Sequence, residues 1–319
     1  MVDQELSIGF VILSHRGSDL LGRLIEVLNE QYHTPPIAVH QDFGQDDLAG
    51  YEAPDNVRFV RPHVATGWGR YGVVEGALKA LRLLYDTSDP DWFFLLSAAD
   101  YPAMPGAAVR AELANAAVDA FMDIHDFGGA KAQARLVGSA NPQLSHFDNP
   151  PNRRMTWGRY VGAQLWLPIL RRKPSGGLRL GRYTLHLPYR AFGSPFTPER
   201  PCFYGDHWFA GNRRVAQILL QPDRFDGQVE RALKHRSVPE EAYYHSVLCA
   251  RPELTISRDN RRFAEWNGGG AHPSDLTPDN TRRAFAAKAF FARKYTPGSP
   301  ALDTADRLLH AEDKSQPAS

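Results

Sequence analysis

Short apolar runs alternate with amphipathic stretches along the first 125 residues of the chain. The runs at 8–13 and 92–96 are apolar throughout, as expected of strands that are buried on both faces. Strands are predicted at 8–13, 37–39, 57–60, 92–96 and 119–124. Apolar residues spaced three and four apart predict a first helix that follows Ser18, which would be its N-cap. The same spacing predicts further helices over 72–85, 106–117, 211–220 and 278–291.

Alternating strands and helices predict an α/β fold with a mostly parallel sheet covered by helices. In such sheets, ligands bind beyond the carboxyl ends of the strands. Polar clusters follow three of the predicted strands, namely Ser14-His15-Arg16, His40-Gln41-Asp42 and Ser97 to Pro102. Three clusters at successive strand ends favour a nucleotide or nucleotide-sugar site. The sequence has no G-x-x-x-x-G-K-[ST], which argues against the common P-loop site.

Length and composition are those of a large globular enzyme. The 319 residues are 43% hydrophobic and 23% charged, enough for a substantial core. A net charge of +1 gives no global attraction to nucleic acid or membrane, so we expect no nucleic-acid partner. The two cysteines, Cys202 and Cys249, are expected to be buried free thiols. No apolar run approaches the ~20 residues of a membrane span, so we expect a cytoplasmic protein.

A basic, aromatic segment interrupts this pattern in the middle of the chain. Residues 149–198 contain nine Arg or Lys and no Asp or Glu, with seven Trp, Tyr or Phe side chains interleaved. One interpretation is an irregular insertion with a solvated basic face. The other is a surface for an anionic acceptor or for anionic lipid headgroups, which would place the protein at the inner membrane face.

A predicted helix near residue 240 presents a candidate catalytic carboxylate. Ser237 and Glu240 stand at capping-box spacing, so Glu240 is expected to cap the helix. Glu241 then shares a helical face with Tyr244, His245 and Leu248. It is either a surface Glu that the helix dipole favours or a working general base.

Taken in order, several motifs resemble the core-2/I-branching β-1,6-N-acetylglucosaminyltransferases and the related peptide-O-xylosyltransferases, particularly their shorter bacterial members. They span nearly the whole chain: Leu13-Ser14-His15, Val39-His40-Gln41-Asp42, Trp68-Gly69, Leu95 to Pro102 (family L-S-G-x-D-Y-P), Gly205 to Trp208 (G-S-x-W), Val238-Pro239-Glu240-Glu241 (P-D-E), Arg262 to Trp266, and Phe291 to Tyr295. Order and spacing, rather than any single motif, make the resemblance specific.

The resemblance implies a GT-A-like nucleotide-diphospho-sugar transferase fold and an inverting, metal-independent transfer from a UDP-sugar. It implies that Glu241 is the general base and that Lys294, with Arg293 beside it, takes the place of a metal at the diphosphate. Further donor-binding positions would be Ser14, His15, His40, Asp42 and Asp100. Acceptor-binding positions would be Trp266, Trp208 and Arg154. No cofactor is expected.

Departures from the family pattern limit this interpretation. Ala98 and Asp206 replace the family's Gly and Ser, and Glu240 replaces its Asp. A second phosphate-binding Arg has no clear match, since the segment before Lys294 offers only His272, Arg282 and Arg283. The single D-x-D, Asp89-Pro90-Asp91, precedes its strand and is interpreted as a loop; Asp123 and Asp126 are better-placed metal candidates.

The sequence therefore predicts one transferase domain over 1–311, followed by a frayed tail at 312–319. It would comprise a nucleotide-binding half (1–124), a basic aromatic insertion (125–200) and an acceptor and catalytic half (201–311). The donor sugar is expected to be N-acetylglucosamine and the acceptor a glycan or a lipid-linked glycan. The alternatives are a xylosyltransferase-type donor or a catalytically degenerate protein that binds a nucleotide-sugar or glycan.

Overall fold

Strand and helix alternate as expected in the computed structural model, which describes residues 6–126, 136–137, 178–180, 183–185, 195–196, 200–234, 238–266 and 272–313. The helices are α1 (Ser18–Tyr32), α2 (Gly72–Thr87), α3 (Gly106–Ala114), α4 (Arg213–Leu220), α5 (Arg224–Leu233), α6 (Glu240–Cys249), α7 (Pro278–Ala286) and α8 (Pro300–Asp313). The strands are β1 (Ile8–Ser14), β2 (Ile37–Gln41), β3 (Val57–Phe59), β4 (Trp92–Ser97), β5 (Tyr101–Pro102), β6 (Ala120–Phe121), β7 (His125–Asp126), β8 (Leu136–Val137), β9 (Leu178–Leu180), β10 (Tyr183–Leu185), β11 (Phe203–Tyr204), β12 (Ala210–Asn212), β13 (Ile256–Ser257), β14 (Arg262–Ala264) and β15 (Phe291–Arg293).

The central sheet has the strand order β3-β2-β1-β4-β12-β6-β13-β8. Strands β3, β2, β1 and β4 are all parallel, and only β12 runs antiparallel to its two neighbours. The predicted α/β fold with a mostly parallel sheet is confirmed, and it is consistent with the GT-A-like architecture that the resemblance implies.

Apolar side chains cover both faces of the sheet, which explains the continuous apolar runs in the sequence. Phe10, Ile12 and Phe94 point to the face covered by α1, α3, α7 and α8. Val11 and Phe93 alternate to the opposite face, where α2, α4, α5 and α6 pack. Both cysteines are buried and free, as predicted.

A smaller sheet of β14, β15 and β5 lies beside the first and contains the main error of the sequence prediction. The helix predicted over 278–291 ends at Ala286, and residues 291–293 instead pair with β14 and β5. The apolar run Ala289 to Ala292 fits a buried helix or a buried strand equally well, so its spacing does not distinguish the two.

Other boundaries differ by smaller amounts. The strand predicted over 119–124 is paired only at Ala120–Phe121. Helix α1 begins at Ser18 with Gly17 as its N-cap residue, so the prediction that Ser18 caps the helix is wrong by one position. Most of the basic aromatic insertion, including Arg154, lies outside the described residues, as do residues 314–319. Within the described part of the chain, no helix is both long and apolar enough to cross a membrane.

Candidate active site

The carboxyl ends of β1, β2 and β4 form one edge, and backbone hydrogen bonds continue beyond the strands. The Asp42 N–H donates to the Ser14 carbonyl at 2.9 Å, and the Ala98 N–H donates to the Leu13 carbonyl at 3.0 Å. The Tyr295 N–H donates to the Ala99 carbonyl at 3.0 Å, which joins the end of β15 to the same edge. The structure thus brings together six of the predicted donor residues, namely Ser14, His15, Asp42, Asp100, Arg293 and Lys294.

Asp42 is a buried carboxylate that four hydrogen bonds hold in its ionised form. Its oxygens accept from the Thr66 N–H at 2.6 Å, the Thr66 hydroxyl at 2.8 Å, the Gln45 amide at 2.6 Å and the Gly44 N–H at 3.1 Å. Burial raises its pKa, but hydrogen bonds from Gln45 and Thr66 outweigh burial and bring the pKa of Asp42 down to about 2. Asp42 therefore fixes residue 66 against the strand edge.

His40, in strand β2, is also buried. Its Nε2 accepts a hydrogen bond from the Val64 N–H at 3.0 Å, so the ring is neutral with its proton on Nδ1. Burial lowers the pKa of His40, in agreement with a neutral ring. The ring packs on Gly76 of α2, where an added Cβ would come within 2.9 Å of it. His40 thus uses Nε2 and one ring face to hold α2 and the segment after β3.

A buried charge network lies behind the strand edge. Asp100 accepts from the Arg262 Nη1 at 3.1 Å and from the Ser97 N–H at 3.1 Å, and Arg293 Nε lies 3.3 Å from its other oxygen. Arg262 is itself buried and also donates to the Leu95 carbonyl at 3.0 Å. We call Asp100, Arg262, Arg293, Asp206 and Asp123 the buried network.

Arg293 has two partners within and beside this network. Besides its contact with Asp100, its guanidinium carbon lies 4.6 Å from the centre of the Trp208 ring. One face of Trp208, an expected acceptor residue, is therefore covered by Arg293. The charge of Arg293 is shared with a buried carboxylate, so Arg293 positions the segment more than it offers a free cation.

Asp206, the replacement for the family's serine, is half-buried and lies near four charged groups. Its carboxylate accepts from the Asn260 amide at 3.3 Å, and its N–H donates to Asp123 at 3.3 Å. Burial raises the pKa of Asp206 to about 7; Asp123 and Asp100 add to the increase, while Arg293 and Arg262 oppose it. Asp206 can therefore carry a proton near neutral pH.

Lys294 lies in front of the same edge, in a basic patch. Within the described residues, no acidic side chain lies within ion-pair distance of Lys294. His272 lies nearby: burial lowers its pKa, and the charges of Lys294, Arg293 and Arg16 lower it further. The pKa of His15 falls through burial and through Arg16 and Lys294, with Asp42 opposing. We call His15, Arg16, His272 and Lys294 the basic patch.

Helix α6 brings the candidate base, Glu241, toward this edge. The helix begins at Glu240 with Pro239 as its N-cap residue, so the predicted cap at Ser237 is wrong; Ser237 itself lies outside the described residues. One carboxylate oxygen of Glu240 is buried, and burial raises the pKa of Glu240 to about 7. Glu241 is only half-buried, and its carbonyl accepts from the Gly205 N–H at 2.8 Å.

The turn at 66–69 joins the carboxyl ends of the strands to the start of α6. Thr66 binds Asp42, as described above, and the Gly69 carbonyl accepts from the Val238 N–H at 3.1 Å. Between them, Trp68 is 55% exposed, and its ring centre lies 5.9 Å from that of His272. The sequence motifs include the Trp68-Gly69 turn without implying a role for it, and Thr66 belongs to none of them.

The remaining candidates are placed less centrally. Trp266 follows β14 and is half-buried, while its neighbour Glu265 binds Arg283 at 2.6 Å and Asn280 at 2.9 Å. Asp123 is buried and lies 3.1 Å from His125. In the part of the chain that the structure describes, no three His, Cys, Asp or Glu side chains are grouped as a metal site. Metal independence stays a prediction.

Comparison with known proteins finds a matching family model and several relatives. The family model described as "Core-2/I-Branching enzyme" matches residues 8–167 and 171–288. Xylosyltransferase 1 from Rattus norvegicus is 24% identical over 319 residues, which cover 92% of this chain and 34% of the relative. The Homo sapiens protein of the same name is also 24% identical, covering 92% of this chain and 29% of the relative.

A shorter match involves a plant protein. Beta-glucuronosyltransferase GlcAT14B from Arabidopsis thaliana is 38% identical over 72 residues, or 22% of this chain and 17% of the relative. The chain spans about a third of the length of the xylosyltransferases that it matches. All three relatives are named as glycosyltransferases, although with different sugars.

Proposed function

This chain belongs to the core-2/I-branching enzyme family, and from that premise we propose that it transfers a sugar from a UDP-sugar to a glycan or glycolipid hydroxyl with inversion. The observation that carries the proposal is the turn at 66–69. It is hydrogen-bonded to Asp42 at one end and to Val238, three residues before Glu241, at the other. A donor bound along this turn would extend from the nucleotide-binding strand ends to the candidate base.

The proposed chemistry is a single displacement without a resident metal. The Glu241 carboxylate would take the proton of the acceptor hydroxyl as its oxygen bonds to the anomeric carbon and the bond to UDP breaks. Lys294 would neutralise the charge that develops on the leaving diphosphate. Asp42 and His40 would shape the uridine end, and Trp266 the acceptor end, since a flat ring suits the apolar face of a sugar.

Two donor sugars compete within this proposal. The motif resemblance favours N-acetylglucosamine, while the relatives that cover 92% of this chain are named xylosyltransferases. A panel of UDP-N-acetylglucosamine, UDP-xylose and UDP-glucuronic acid separates them by the rate of UDP release with a mixed glycan acceptor. The same panel in EDTA and in Mn²⁺ tests metal independence. The acceptor and any contact with the inner membrane face depend on the basic insertion, which is tested with lipid-linked and soluble acceptors.

The first test is Glu241→Gln, with Glu253→Gln as a matched control on an exposed position. General-base help contributes about 10²–10⁴-fold, so Glu241→Gln should lose that much turnover while UDP still raises the melting temperature. Glu253→Gln should behave as wild type. Full activity in Glu241→Gln would exclude Glu241 as the base. UDP binding without transfer of any donor by wild type would favour a degenerate binding protein.

A further inference from the structure

The segment that leads into α6 has an unfavourable backbone conformation. Val238, three residues before Glu241, has a φ angle of 54°, which places a β-branched residue in the left-handed region. Such a residue is strained and persists only where its surroundings hold it in place. On the side of the turn, the Gly69 carbonyl holds Val238 through the hydrogen bond at 3.1 Å. On the side of the helix, the contact comes from Tyr71.

Tyr71 lies two residues after Gly69 and is the N-cap residue of α2. Its side chain is buried against Tyr243 of α6, with ring centres 6.0 Å apart and ring planes at 85°, so the rings meet edge to face. Burial raises the pKa of Tyr71, and Tyr243 raises it further. Burial also raises the pKa of Tyr243, to about 12, while a hydrogen bond from Tyr71 opposes that increase. Tyr71 is thus the donor of the pair and Tyr243 the acceptor.

Tyr243 closes the first turn of α6, the turn that contains Glu241. The Tyr243 N–H donates to the Pro239 carbonyl at 2.8 Å, and the Glu241 N–H donates to the Val238 carbonyl at 3.3 Å. All residues of α6 from Ala242 to Cys249 are buried, whereas Glu241 is only half-buried. A shift of the Tyr243 ring would therefore move the start of the helix, and the Glu241 side chain with it.

Helix α2 gives Tyr71 a fixed position. Its buried face packs on the sheet, and Gly76 lies against the ring of His40 in β2. We propose that Tyr71 is a positioning residue, which fixes the start of α6 so that Glu241 faces a donor bound along the turn at 66–69. The inference deepens the proposed function and rests on it.

A double-mutant cycle with Glu241 separates positioning from general stability. Tyr71→Leu removes the ring contact, and we expect it to lower kcat by about tenfold while KM for the UDP-sugar changes by less than about twofold. Tyr71→Phe should recover most of the loss, because it keeps the ring and lacks only the hydroxyl. In Glu241→Gln, the further change Tyr71→Leu should leave kcat almost unaltered, because no base remains to be positioned.

Tyr85→Leu, near the other end of α2, is the matched control. Tyr85 also packs edge to face, against Phe93, and its hydroxyl donates to the Pro90 carbonyl at 3.1 Å. We expect Tyr85→Leu to lower the melting temperature, as Tyr71→Leu does, but to keep the kcat of wild type. All rates are measured at a temperature at which both variants are folded.

Each contrary result has a distinct meaning. If Tyr71→Leu lowers kcat by the same factor in wild type and in Glu241→Gln, Tyr71 only stabilises the fold, and the positioning role is wrong while the proposed function stands. The role is also wrong if Tyr71→Leu keeps full kcat, or if Tyr85→Leu loses as much kcat as Tyr71→Leu. If Glu241→Gln is itself fully active, the proposed base fails and the role of Tyr71 fails with it.

Discussion

Two charged regions meet at β15, the buried network behind the strand edge and the basic patch in front of it. Arg293 belongs to the first and Lys294 to the second, although they are adjacent in sequence. Arg293 lies between Asp100 at 3.3 Å and the Trp208 ring at 4.6 Å, while no acidic group among the described residues pairs with Lys294. The comparison teaches that adjacent cations can have different surroundings: Arg293 lies against a buried carboxylate, whereas Lys294 has no acidic partner among the described residues.

The largest effect should come from breaking the buried network at Asp100. Asp100→Ala would leave Arg262 charged, buried and without its carboxylate. Loss of one partner of a buried ion pair costs about 3–5 kcal/mol, which urea denaturation would measure as a lower free energy of unfolding.

The exposed pair Arg282–Asp279 provides the control for that experiment. Its side chains are 58% and 87% exposed, so Asp279→Ala should cost less than about 1 kcal/mol. If Asp100→Ala lowers the free energy of unfolding no more than Asp279→Ala does, the buried network does not stabilise the fold as we expect.

A large effect of a different kind should follow a change at Lys294. We expect Lys294→Gln to lower turnover by about 10²-fold with an unchanged melting temperature, because in the proposed mechanism it removes the charge that neutralises the leaving diphosphate. Arg293→Gln should lower the melting temperature as well, because it leaves Asp100 with one fewer cation.

Lys234→Gln, at an exposed position, is the matched control for Lys294→Gln. Equal losses of stability in Lys294→Gln and Arg293→Gln would contradict the prediction that only Arg293 stabilises the fold.

A smaller, pH-dependent effect should come from Asp206 within the buried network. Its pKa in the folded state is raised to about 7 from 3.8, so its contribution to stability is fully present below about pH 4 and is lost as the pH rises to about 7. Wild type should therefore lose about 2 kcal/mol relative to Asp206→Asn between pH 5 and pH 7. If the free energies of unfolding of the two proteins change with pH in parallel, the raised pKa of Asp206 is contradicted.

Two buried histidines change stability in the opposite direction and must be considered in that measurement. Burial lowers the pKa of His207 and of His245 to about 3, so their contribution is present above pH 6.5 and is lost as the pH falls toward 3. Glu240, with a pKa raised to about 7, acts in the same direction as Asp206. The difference between wild type and Asp206→Asn cancels these shared contributions.

Much of the structure of residues 6–124 could be predicted because its local signals agree. The runs at β1 and β4 are apolar on both faces, and the stripes on α1 and α2 have helical spacing, so each element has one interpretation. Parallel strands place their carboxyl ends at one edge, so strand order along the chain is enough to group Ser14, Asp42 and Asp100. The prediction failed at β15, where residues 291–293 fit two interpretations.

The sequence alone determined the fold class, the family motifs and the set of residue types at the strand ends, because these depend on local spacing and order. Tertiary structure decided how those residues are used. Pairing of β15 with β14 and β5 turned an expected helix end into a strand, with Arg293 against Asp100. Whether a cation is neutralised or left for a ligand depends on which distant side chains come within a few ångströms of it. Spacing along the chain carries no information about that.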